Sequence, residues 1–131
     1  MASSAWSEAE FFAAVRAYLE MLIMEQSGES YSKKEVNRYL RNGELSARSK
    51  GSIEFRMCNI SAVVDGLSLP YISGYKPMGN VGPRGTKMIK DALTKLKTLT
   101  DQIREEPSGR SDSGSDDGPL RLSGKWRSSD L

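Results

Sequence analysis

Arg56 and Asn59 stand three residues apart in the run Ser52-Ile53-Glu54-Phe55-Arg56-Met57-Cys58-Asn59-Ile60, which puts both side chains on one flank of a helix with Ser52 in line. The chemistry open to this pair is planar hydrogen bonding. A guanidinium forks onto guanine or a phosphate, and a carboxamide pairs with adenine. Downstream, Tyr71, Tyr75, Lys76 and Asn80 lie in an aromatic segment punctuated by glycine and proline, and its rings suit stacking on an unpaired or flipped base. Lys33, Lys34, Arg38, Arg48, Lys50 and Arg84 supply cations for phosphates, contacts that position a nucleic acid without reading its sequence. Plainer uses stand beside these: Asn59 satisfying a loop carbonyl, Tyr75 packing on its helix, and Gly74 and Pro77 shaping the loop.

Other chemistry is ruled out by what the chain lacks. It has no histidine and one cysteine, Cys58, so neither a histidine-based acid–base centre nor a Cys/His zinc site can be assembled. Ser-His-Asp and Cys-His arrangements fail for the same reason, and no phosphate-binding glycine loop or dinucleotide fingerprint follows a predicted strand. Glu54, Asp65 and Asp91 show no spacing that favours a metal held by carboxylates alone. The expectation is a chain that is not an enzyme, with no catalytic residue, no metal ligand and no cofactor. Cys58 is read as a packing residue in a reducing compartment.

The 131 residues carry a formal charge of only +2, yet that charge is unevenly spread. Residues 1–32 hold one basic residue, Arg16, against five acidic ones, whereas residues 33–97 hold thirteen basic against five acidic. A basic half on a nearly balanced protein is what phosphate contact requires; the alternative is a set of solvated helix faces. No apolar run approaches the roughly 20 residues of a membrane span, and no secretory leader pattern opens the chain, so a cytoplasmic protein without a membrane partner is expected.

The elements that must position these residues are helical. Ser7 with Glu10 and Ser32 with Glu35 form capping-box patterns. The first precedes Phe11, Phe12, Val15, Tyr18, Leu19, Leu22 and Ile23, up to Gly28; the second precedes Val36, Tyr39 and Leu40, up to Asn42-Gly43. Ser52 is predicted to cap a third helix running to about Asp65, with Ile53, Met57, Ile60, Val64 and Leu67 as its buried stripe and Gly66 as its close. Pro83 opens a final helix whose apolar face, Met88 to Ile103, is predicted to persist until Pro107. The fold class is all-α: a small domain of four main helices over residues 1–106, with an ordered Gly/Pro/Tyr loop between the third and fourth helices. A flexible Ser/Gly/Asp-rich tail is expected over residues 107–131, in which Trp126 between Lys125 and Arg127 is a candidate docking motif.

Arg48, Gly51-Ser52-Ile53-Glu54-Phe55-Arg56, Asn59-Ile60-Ser61-Ala62-Val63 and Gly74-Tyr75-Lys76-Pro77 with Asn80 together resemble the amino-terminal module of HNH-type restriction endonucleases, including relatives of the modification-dependent enzymes. The likeness extends upstream through Tyr18–Leu22 and Tyr31–Arg41, covering roughly residues 6–97. The resemblance implies a target-recognition module that engages DNA, modified DNA included, and that stands beside a separate nuclease domain. The absence of histidine departs from the family's cutting chemistry. Two functions are therefore expected as alternatives: a non-catalytic DNA-binding module, or an interaction protein that docks on a nuclease or another partner through its tyrosines and Trp126.

Overall fold

A computed structural model of the chain describes residues 5–103. Its elements are α1 (Glu8–Gln26), α2 (Lys33–Arg41), α3 (Lys50–Gly66), α4 (Gly82–Lys95) and the single turn α5 (Lys97–Thr100). No strand occurs among the described residues, and no helix there is long and apolar enough to cross a membrane. The domain is all-α with four main helices, as expected. The tail and the Trp126 motif lie outside the described residues.

Helix α1 begins at the expected capping box: Ser7 Oγ accepts from the Glu10 amide at 3.1 Å, and Glu10 Oε1 accepts from the Ser7 amide at 2.8 Å. It ends where Gly28 takes φ +78, a left-handed step that lets the Gly28 amide reach the Glu25 carbonyl and the Glu29 amide reach the Met24 carbonyl. Between these ends α1 is the central element. It packs against α3 and α4 and also meets α2 and α5. Its burial accordingly extends beyond one stripe, because Ala13, Ala14, Ala17, Met21 and Met24 are covered along with Phe11, Val15, Tyr18, Leu19, Leu22 and Ile23.

Several expectations are corrected. Ser32 caps α2 by accepting from the Glu35 amide, but the Glu35 carboxylate pairs with Arg38 and does not close the box. Tyr39 is 48% exposed, and Asn37 takes the buried position beside Val36 and Leu40. Helix α3 starts earlier than expected: Ser49 is its cap, accepting from the Ser52 amide at 3.1 Å, which places Ser52 inside the first turn. Ile53, Met57, Ile60 and Val64 are buried as predicted, whereas Leu67 is past the helix end and exposed. Gly66 stays helical, and Ser68 takes the left-handed step at φ 65.

The last helix is not continuous. Leu96, at φ −99 and ψ 38, separates α4 from α5, and the Thr100 hydroxyl donates to the Leu93 carbonyl at 2.9 Å. Past this break α5 meets α1, and Ile103 is buried in the core.

The core closes on one polar atom. Tyr18 and Ser61 are fully buried; the Tyr18 hydroxyl pairs with Ser61 Oγ at 2.7 Å and accepts from the Ile72 amide at 3.0 Å. It thereby ties α1 to α3 and to the loop that leads to α4. Burial pushes the phenol up to about 12, so it stays neutral and free to donate.

Candidate nucleic-acid interface

Arg56 leaves α3 beside the buried stripe and enters a crevice between the start of α1 and the start of α4. Its guanidinium lies 4.7 Å from the Trp6 ring centroid and 4.8 Å from that of Phe11. These rings meet at 5.7 Å because Trp6 precedes the Ser7 cap and Phe11 follows in the next turn, an apolar staple across the helix entry. Arg56 Nη1 donates to Asn59 Oδ1 at 3.1 Å, and Asn59 Nδ2 donates to the Met78 carbonyl at 2.9 Å. The Met78 amide in turn donates to the Cys58 carbonyl at 3.1 Å, so the loop is laced across α3 at this level.

No carboxylate pairs with Arg56 among the described residues, and its Nε is buried without a hydrogen-bond partner. Burial first, then Arg48 and Arg84, lower its pKa from the ordinary guanidinium value, yet the group stays charged at neutral pH. Arg48 sits 5.3 Å from the Trp6 ring and grips both oxygens of Glu10, at 2.7 and 3.0 Å, while also donating to the Ala5 carbonyl. Arg84 is exposed, 6.0 Å from the Phe11 centroid. Gly85, in the first turn of α4, is buried so close that a Cβ there would lie 3.0 Å from Val81 Cγ1 and 3.9 Å from Arg56 Nη1.

The other sequence candidates divide. Lys34, Lys76 and Asn80 are exposed, and Tyr71, 38% exposed, presents its ring. Lys33 donates to the Gly74 carbonyl at 2.9 Å and lies 4.6 Å from the Tyr75 centroid. Arg38 and Lys50 pair with Glu35 and Glu54 at the surface. Two placements oppose a direct base contact. Asn59 is fully buried with its carboxamide committed to Arg56 and Met78, and Tyr75 is a core residue packed 6.4 Å from Tyr18. Ser52 is half-buried in the first turn of α3. Cys58 is half-buried too, with its thiol pushed up by burial, as suits packing.

Sequence reasoning passed over Trp6, although an aromatic just before the Ser7 cap, with Phe11 five residues on, was the signal of the staple that holds Arg56. It also missed Asn37, whose Nδ2 donates to the Lys50 carbonyl and anchors α2 to the start of α3. No group of three potential metal ligands occurs among the described residues. No family model, curated protein or solved structure matches the chain.

Proposed function

We propose that the chain is a non-catalytic, cytoplasmic DNA-binding module of the target-recognition kind, standing beside a restriction nuclease and acting on DNA that includes modified DNA. One observation carries the reading. After internal ion pairing, Lys33, Lys34, Arg41, Arg56, Lys76, Arg84 and Lys90 have no carboxylate partner among the described residues. Unpaired cations on α2, α3, α4 and the loop offer repeated phosphate contacts, each of which gains free energy from counterion release. Tyr71 supplies the exposed ring for stacking on a base.

Phe55 and Met78, each 42% exposed, favour protein docking as the second reading. Titrating duplex DNA against salt separates the two. The DNA reading expects affinity that falls steeply with salt and weakens for Lys34→Ala about equally on every sequence, with no metal-dependent cleavage. Salt-independent or undetectable duplex binding would favour the docking reading. Cleavage that survives repurification and is lost in a carboxylate variant would make the chain an enzyme.

A further inference from the structure

A half-buried guanidinium often finds a carboxylate, because desolvating a charge is costly, and Arg56 is half-buried with its Nε shut off from water. Arg56 has none, and the Glu10 carboxylate in the same cluster is already held by both arms of Arg48. Two further guanidiniums stand near it, Arg48 on the shared Trp6 ring and Arg84 on the shared Phe11 ring. The fork is nevertheless held in place by two aromatic faces, by Asn59 and by the loop that Asn59 carries. A cationic group that is orientated and unneutralised has the properties of half a binding site.

We propose that Arg56, flanked by Arg48 and Arg84, is the seat of a single phosphate group. Arg56 supplies the planar fork and Arg84, at the open edge, the second cation. Arg48, neutralised by its pair with Glu10, adds no free charge and serves to hold the Trp6 wall of the seat. The first turn of α4, which no side chain caps, passes beside the guanidinium at Gly85, and the positive end of that helix dipole adds to the positive field. Asn59 is a positioning residue in this arrangement. That the phosphate belongs to DNA rests on the function proposed above; the seat itself does not.

Trp6, lying against both Arg56 and Arg48, is a built-in reporter, and Trp126→Phe leaves it the sole tryptophan. Inorganic phosphate titrated into that full-length protein should change Trp6 emission saturably. Arg56→Lys, which keeps the charge and loses the fork, and Arg84→Ala, at an exposed position, should each weaken the response about tenfold. Lys97→Ala, on the surface of α5, should leave it unchanged. Failure to saturate, or equal affinity in the parent and Arg84→Ala, would overturn the seat, whatever becomes of Arg56→Lys.

Duplexes with 5′-phosphate and 5′-hydroxyl ends give the source. Equal binding assigns the seat to an internal diester, and preference for the phosphorylated end assigns it to a terminal monoester. A phosphate response without duplex binding would sink the DNA reading and keep the seat. Duplex binding insensitive to both arginine variants, with no saturable response to inorganic phosphate, would do the reverse.

Discussion

Tyr18 concentrates three segments on one oxygen, and its removal is the most direct test of how the loop is held. Tyr18→Phe keeps the ring in the core but leaves the buried Ile72 amide without its acceptor and Ser61 without its partner. The expected loss is about 1–3 kcal/mol, read as a lower urea midpoint at unchanged slope. A loss under about 0.5 kcal/mol would mean that another acceptor serves Ile72. Glu10 adds a pH dependence. Hydrogen bonding from Arg48 holds its carboxyl below the ordinary value, outweighing the opposing effect of burial, and the Ser7 amide helps. Its folded pKa is thus below its unfolded one. The stability it contributes is present above the unfolded value of about 4.3 and is lost as pH falls through the lower folded value. Glu10→Gln should be less stable at neutral pH and should lose less on acidification below about pH 4. Glu8, lowered chiefly by its hydrogen bond from Lys95, still titrates in the variant, so the acid slope should shrink without vanishing.

Helix ends separate what the sequence disclosed from what it concealed. The Ser7–Glu10 box and the stop at Gly28 were legible because each is a local pattern satisfied within a few residues. Ser49 was missed in favour of Ser52 because Ser52 stands directly before Ile53, the first apolar residue of the stripe, whereas Ser49 is followed by Lys50 and Gly51, a poor opening for a helix. The break at Leu96 was hidden because the apolar spacing runs on without a glycine or proline, and the contact of α5 with α1 is a tertiary one that no local pattern announces. Arg56 was singled out for its place beside the stripe. Its crevice was not foreseen, since Trp6 and Gly85 reach it from the far ends of the domain. At the end of α3 the chain bears an avoidable strain, for Ser68 holds a left-handed φ that glycine adopts at no steric cost. Ser68→Gly should raise stability by about 0.5–1 kcal/mol in a denaturant titration. A decrease would mean that the serine side chain contributes more than its backbone costs.

On the scale of the whole molecule, one apolar cluster runs from Trp6 to Ile103 and takes in residues of every helix but α5, whose Leu99 packs against it. Because residues 108–131 are rich in Ser, Gly and Asp and carry no periodic apolar face to bury, deleting them should leave the thermal unfolding curve superimposable on that of the full chain. A marked fall in melting temperature would move the domain boundary. The same truncation bears on function: a DNA-binding module keeps its duplex affinity without those residues, whereas a protein that docks through Trp126 loses its partner in a pull-down.

Placing α1, which is made before the other described helices, at the centre of the bundle also governs how this domain must be born. Synthesis runs at roughly 5–20 residues per second, so α1 waits several seconds on the ribosome before α4 exists to cover it. Throughout that interval Phe11, Leu19, Leu22 and Met24 lack the complete enclosure they have in the folded domain, and the nascent chain is expected to expose apolar surface. Chains stalled before α4 emerges should remain protease-sensitive, and resistance should appear abruptly once α4 and α5 clear the exit tunnel.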